Sequence, residues 1–307
     1  MKKQYFLFLL SFIFINNNCF VQEQKQIFLY TQEGIFSRPF LFSFGNGIGY
    51  LEIYAGSLAG YWIEPNYNND SDNDGLIYQV FQEKYTEKKQ SPFTIINMKD
   101  KEMLFLPSKD GRVAYVIPLK DAGDGKWPVF CGVEKELFDI GYFILSSKVE
   151  KISSYFTEKI GDNTFTYNPS GFSNGVIRHG VVWTGEYERN GTIWVTGGSG
   201  IGESTTVKSY MGNSGIILQN GFIAPWNLDL YYQNSRIKRI RIEYKGFSEI
   251  VDIADTPNPQ IIDLKRDDVE EVTITIVEVY PGTKYNNTAI SSILFLKKRE
   301  MSVMSPN

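Results

Sequence analysis

Histidine, the side chain whose ordinary pKa suits acid–base work near neutral pH, is nearly absent from this chain, which limits what it can catalyse. There is one histidine, His179, among 307 residues. Sites built from several histidines are therefore excluded, and any Ser-His or Cys-His pair would have to use His179. It follows Arg178 in a stretch that reads as a loop, where a surface histidine is the simpler account. Glu52 and Glu64 fall on candidate neighbouring strands of one hairpin. Facing carboxylates are what glycoside hydrolysis needs, but β-rich surfaces offer such pairs routinely and nothing in the local sequence points to a raised pKa. Asp70, Asp72 and Asp74, followed by Gly75, repeat the opening of a calcium loop, with oxygen ligands at positions one, three and five and glycine at six. Position twelve is Phe81, so the usual bidentate carboxylate is absent unless Glu83 reaches in. Ca2+ is thus the one cofactor with any sequence basis, and a solvated Asn/Asp/Gly turn is the preferred reading.

Other local patterns have structural explanations. Gly197-Gly198-Ser199-Gly200-Ile201-Gly202 looks like a phosphate cradle but lacks the Gly-Lys-Ser/Thr and helix that a P-loop requires. Glu203 and the β-branched Thr205, Thr206 and Val207 follow it, so a tight turn feeding a strand is expected, with Glu203 free to accept hydrogen bonds from hydroxyl groups. Arg236, Lys238, Arg239 and Arg241 form a basic run that strand alternation divides between positions, so it is not one patch. The formal net charge of -4 and pI near 5.3 provide no field that would gather phosphates, which argues against nucleic-acid binding. Cys131, within Pro128-Val-Phe-Cys-Gly-Val133, reads as a buried thiol.

The elements that must position these residues are strands. Aromatic residues make up 15% of the chain, and beyond the N-terminus apolar residues alternate between Gly, Asn, Asp and Pro punctuation. Arg239–Tyr244 puts Ile240, Ile242 and Tyr244 on one face and charges on the other. Val272–Ile276 repeats the alternation and Val277-Glu278-Val279 continues it out of phase, which predicts a β-bulge near Ile276. Further strands are expected at Tyr50–Tyr54, Gly60–Ile63, Leu76–Val80 and Val113–Ile117. Val149–Phe156 has helical spacing, and a domain boundary is placed near Ser147. The fold class expected is all-β.

Lys2 and Lys3 precede an apolar run from Tyr5 to Ile15, which is too short to span a membrane and has the layout of a secretory signal. Cys19 follows Asn16-Asn17-Asn18, and a cysteine directly after such a run resembles a relaxed bacterial lipoprotein signal, in which that cysteine is lipidated. With Cys19 so used, Cys131 has no disulfide partner.

In the second half, Trp194-Val-Thr-Gly-Gly-Ser-Gly-Ile-Gly-Glu203 is followed by Gln219-Asn220-Gly221-Phe222 and Tyr231-Tyr-Gln-Asn-Ser-Arg-Ile-Lys238. Then come Asp255-Thr256-Pro257, Gln260–Leu264, Val279-Tyr-Pro-Gly-Thr-Lys-Tyr285 and Thr288–Ser291. Their order and spacing over about residues 148–298 resemble the NADase-type glycan-binding, discoidin-like domain family. The resemblance implies a galactose-binding-like jelly roll, a two-sheet sandwich that meets ligands at loops on one end and binds without turnover. On this basis the candidate ligand contacts are Glu203, Asn220, Trp226, Asn234, Arg236, Lys284 and Tyr285. Trp194, inside an Ile-Trp-Val triplet, is assigned to the core, and Tyr232 is a further stacking candidate. Two departures, Asn287 where the family usually has an acidic residue and Ser292 where it often has Glu, remove charge from what reads as a ligand loop.

The organisation expected is a signal over residues 1–18, a β-rich unit over 19–147 (a small barrel or sandwich of no assigned family), the jelly roll over 148–298 and a tail over 299–307. The function expected is non-catalytic binding of carbohydrate or a surface glycan by an exported protein. It would be held at the cell envelope or cell surface through a lipid on Cys19, or else secreted. The rival readings are a hydrolase whose N-terminal unit is catalytic and a structural envelope protein.

Overall fold

The computed structural model describes residues 25–31, 38–44, 86–90, 92–98, 101–120, 126–128, 130–134, 140, 142–172, 176–178 and 193–298. Cys19 and the export signal, Glu52, Glu64, the Asp70–Gly75 loop with Phe81 and Glu83, the strands expected between Tyr50 and Val80, His179 and the tail lie outside the described residues.

In chain order the strands before Ser147 are β1 (Lys25–Thr31), β2 (Arg38–Phe44), β3 (Thr86–Gln90), β4 (Phe93–Met98), β5 (Lys101–Pro107), β6 (Val113–Pro118), β7 (Lys126–Pro128), β8 (Phe130–Glu134) and β9 (Tyr142–Leu145). They are followed by β10 (Ser147–Ile152), β11 (Thr157–Ile160), β12 (Asn163–Thr166), β13 (Gly171–Phe172), β14 (Val176–Arg178), β15 (Trp194–Val195), β16 (Ser204–Asn213) and β17 (Gly215–Asn220). The one-turn helix α1 (Leu230–Gln233) precedes β18 (Arg236–Tyr244), β19 (Phe247–Asp252), β20 (Gln260–Asp263), β21 (Val269–Tyr280) and β22 (Ala289–Lys298). The protein is all-β, as its alternating pattern and aromatic content imply.

The C-terminal half is a jelly-roll sandwich. One sheet has the order β13-β10-β16-β21-β18-β19 and the other β15-β22-β17-β20, with β9 also paired to β22. Ile240, Ile242 and Tyr244 of β18 and Val272, Ile274 and Ile276 of β21 point into the core, while Arg241, Glu243 and Glu271 stay outside. The bulge expected near Ile276 is present. Ile240 pairs with Ile276 and Arg239 with Glu278, which leaves Val277 as the extra residue, and a compensating shift at Lys238 follows before Ile237 pairs with Val279.

Val149–Phe156 is not a helix. Val149 and Ile152 belong to strand β10, whose register against β16 shifts between Val149 and Lys151. That irregularity brings residues three apart to the same half-buried face, so a bulged strand reproduces the spacing of a helical stripe.

The strands β1 to β6 and β8 form a seven-stranded antiparallel sheet in the order β2-β1-β8-β6-β5-β4-β3. Cys131 lies in β8, in register with Tyr30 on one side and Tyr115 on the other. This sheet is a third layer against the sandwich. Every residue of β17 and the first eight of β22 are buried, which requires cover on both faces. The six-stranded sheet covers one face and the first sheet the other. Tyr115 of β6 places its hydroxyl 3.4 Å from Ser292 Oγ, and the ring of Phe93 meets Tyr231 edge-on at 5.7 Å. Arg112 donates two hydrogen bonds to Asp263, at 2.8 and 3.0 Å. Pairing also crosses Ser147, through β9 with β22 and β7 with β14.

Ser292 is therefore not in a ligand loop. It is in the middle of β22, buried against the first sheet, where a Glu would bring an unpaired charge into a dry interface.

Candidate functional site

One end of the sandwich gathers five connections, residues 153–170, 196–203, 221–235, 253–259 and 281–288. They meet there because β10, β17, β19 and β21 end at that edge, while β16, β18, β20 and β22 begin at it.

The centre of this end is Arg236. Its guanidinium donates to both carboxylate oxygens of Asp255, at 2.8 and 2.9 Å, and to the carbonyls of Asn234 at 2.9 Å, Tyr232 at 3.4 Å and Pro281 at 3.5 Å. It also lies against the rings of Tyr231 and Tyr232, 5.4 and 5.2 Å from their centroids. Tyr231 donates its hydroxyl to Asp255, and burial is the main cause pushing that hydroxyl's pKa well above the ordinary tyrosine value. Arg236 thus ties three loops together and, through Tyr231 and Phe93, to the first sheet.

Burial would raise the Asp255 pKa, but the Arg236 hydrogen bonds and charge, with the Tyr231 hydroxyl, outweigh it and hold the carboxyl below its usual range. A depressed carboxylate stabilises the folded state fully above its unfolded pKa of about 3.9, and that contribution fades as pH falls through the lower folded value. In urea melts from about pH 5 downward, Asp255→Asn is expected to lose less stability per pH unit than the parent protein. An unchanged acid limb would show that this pair does not set it.

Several polar residues expected to contact ligand are consumed internally. Arg236 is 5% exposed and fully engaged. Asn220 is entirely buried: its Oδ1 accepts from the Ile237 backbone and its Nδ2 donates to the Ile237 carbonyl, so it clamps β17 to β18. Asn234 is buried and donates to the Leu230 carbonyl, closing the C-terminal end of α1. At these three positions, expected as ligand contacts, each side chain satisfies backbone groups that would otherwise be orphaned at a sandwich end. Glu203, at the base of the glycine turn, accepts a hydrogen bond from Ser153. The turn itself takes the expected form, with Gly200 and Gly202 at φ 87 and 84° and β16 directly after it.

Among the exposed residues of this end are three tyrosines, Tyr155, Tyr232 and Tyr285, beside polar residues such as Asn227, Asp229 and Asn286. Tyr285 is 38% exposed and carries the Lys284 ammonium 4.9 Å from its ring centroid. The pair is fixed through backbone N–H groups of Lys284 and Tyr285 that donate to the Gln233 carbonyl. Tyr232, Tyr155 and Ile201 are exposed in other connections of the same end. Trp226 is half-buried and heads a row of rings, meeting Phe222 edge-on at 6.4 Å. Phe222 meets Tyr167 at 5.8 Å, and Tyr167 stacks on Phe156 at 6.0 Å. The Tyr167 hydroxyl donates to Glu158 at 2.5 Å. Trp194 is core, as expected, with its indole N–H on the Ser154 carbonyl.

Asn287, where the resemblance implies an acid, donates from its Nδ2 to the Thr196 carbonyl at 2.8 Å. An ionised carboxylate has no proton to give there. Phe156, Glu158 and Tyr167 were not singled out from sequence. The only local signal was their approach to a Gly-Asp-Asn turn, and the partner Phe222 is more than fifty residues away.

Residues 177–296 match the family model described as the NAD glycohydrolase translocation F5/8 type C domain. The C-terminal half is thus discoidin-like, in agreement with the motifs from Trp194 to Ser291. No curated protein matches the chain.

Proposed function

We propose that this is an exported binding protein, held at the cell envelope by a lipid on Cys19, whose discoidin-like sandwich takes carbohydrate at its loop end without turning it over. The observation that carries the reading is the division of labour at that end. Arg236, Asn220 and Asn234 are spent on holding the loops, while Tyr285, Lys284 and Tyr232 are exposed on that fixed frame. Exposed rings on a rigid base suit the apolar faces of sugar rings, and the adjacent ammonium supplies a donor for hydroxyl oxygens. The cysteine after a short apolar run supports the anchor.

The test is a glycan array followed by calorimetry on the mature protein, with Tyr285→Ala beside it. Saturable binding that weakens at least tenfold in the variant, about 1.4 kcal/mol, is the expected result. Absence of saccharide binding at millimolar concentration would overturn the reading. Labelling cells with radioactive fatty acid checks the anchor separately: incorporation should occur in the parent protein and vanish in Cys19→Ala.

A further inference from the structure

Strand β19 (Phe247–Asp252) closes one side of the six-stranded sheet, and among the described residues it pairs with β18 alone. The turn before it decides which of its backbone groups are spent. Lys245 and Gly246, at φ 41 and 80°, make a two-residue turn of type I′, so the flanking Tyr244 and Phe247 exchange both N–H···O bonds. Alternation then aims the N–H and C=O groups of Phe247, Glu249 and Val251 at β18, and the Ile253 N–H continues the series onto the Lys238 carbonyl at 2.9 Å. Those of Ser248, Ile250 and Asp252 point off the edge of the sheet, where no described residue bonds them.

The side chains follow the same division. Glu249 and Val251 lie toward the core and are half-buried, whereas Ser248, Ile250 and Asp252 stand on the solvent face, with Ile250 55% exposed. Edge strands are usually guarded by Lys, Pro, a bulge or an inward charge. β19 lacks the first three, and its inward carboxylate, Glu249, is neutralised by Lys265 at 2.9 Å. The opposite edge of the sheet, β13, is only two residues long.

From this edge we infer that two copies of the chain join β19 to β19 in antiparallel fashion across a two-fold axis at Ile250, making their six-stranded sheets continuous. The strand is complementary to itself in that register. With Ile250 opposite Ile250 of the second copy, Ser248 falls opposite Asp252 and Asp252 opposite Ser248, so each outward backbone group meets an outward group. An aliphatic pair then occupies the centre, with a hydroxyl donor facing a carboxylate on either side. Arg239 Nε holds one Asp252 oxygen at 2.6 Å and leaves the other for this contact, and the Ser248 hydroxyl makes no hydrogen bond among the described residues. The neighbouring in-phase registers set Glu249 against its own copy or Ile250 against Asp252, so both are poorer. Antiparallel pairing also turns the two loop ends in opposite directions. No ligand is needed for the contact, which stands whether or not the loop end binds carbohydrate. A six-residue edge is small beside the roughly 800 Å² per partner of standard interfaces, so a dissociation constant on the order of 10–100 µM is expected.

The test is sedimentation of the chain from residue 19, carrying Cys19→Ala so that no lipid drives association, in reductant and from about 5 to 500 µM. A monomer–dimer equilibrium is expected. Ile250→Lys and Ile250→Glu should each weaken it tenfold or more, because the two-fold sets like charges against each other. An equimolar mixture of the two variants should regain the dimer, since opposite charges then meet. Position 250 is exposed, so urea melts of both variants should match the parent; Ser248→Asp, which faces Asp252 of the second copy, supplies an independent repulsion if they do not. A parent chain that stays monomeric throughout would overturn the inference. So would a dimer indifferent to all three substitutions, or a mixture no more associated than its components.

Discussion

Asp255→Ala is expected to lower unfolding free energy by about 3–5 kcal/mol, and by more than Arg236→Met does. The two partners are unequally buried: the side chain of Arg236 is 6% exposed and that of Asp255 31%. Removing the carboxylate leaves a guanidinium in a dry site with only carbonyls and two rings as company. Removing the guanidinium leaves a carboxylate that can turn to water, at the cost of about 1–3 kcal/mol for carbonyls of Asn234 and Pro281 left without a donor. The double variant Arg236→Met with Asp255→Ala should fall short of the sum of the singles, since it removes both charges together. Urea melts at pH 7 with unchanged m values would measure all three. If Arg236→Met proved the more damaging single change, the guanidinium would matter chiefly as a tie between loop carbonyls.

The second large effect is expected at Gly221, where β17 leaves the sheet. Its φ is 81°, and a Cβ there would lie 2.6 Å from the Tyr231 ring and 3.0 Å from Arg236 Cγ. Gly221→Ala therefore combines a left-handed conformation, about 1–2 kcal/mol for a residue with a Cβ, with overpacking of about 1–3 kcal/mol. The ring cannot step aside freely, because its hydroxyl is bound to Asp255 and its edge to Phe93. A fall in Tm of roughly 5–15 °C is expected for a protein of this size. Gly198→Ala is the control: nothing lies within 4 Å of its Cβ, and the change should stay within about 0.5 kcal/mol. Equal effects at the two glycines would contradict the close packing of Tyr231 over Gly221.

Strands wetted on one face were legible from sequence. β18 and β21 showed their alternation, and the slip at Val277 announced the bulge. β22 hid Ser292 because a strand covered on both faces has no alternation to read, and the covering layer comes from the other half of the chain. Val149 and Ile152 misled because a bulged strand and a helix both bring residues three apart to one side. At the loop end, the residue types at Asn220, Asn234 and Arg236 were recognisable but their employment was not. Arg236 is spent on Asp255, nineteen residues on, and no local spacing distinguishes a polar side chain that faces solvent from one that satisfies its own backbone. The exposure of Tyr285 and Tyr232 was legible, since they lie next to turns containing glycine or asparagine, where rings have little to bury them.

The position of β22 has a consequence for how the chain reaches this state. It is the last described strand, yet it is interior to its sheet, pairing with β15, β17 and β9, the last of these about 150 residues earlier in sequence. A chain that emerges N-terminus first holds β9, β15 and β17 without the strand that joins them until β22 follows. Closing those pairings is slow, because long loops must be ordered before any contact offsets their entropy. During that interval the apolar faces of β6 and β17 are bare, so the vulnerable species is the chain that holds β17 but still lacks β22.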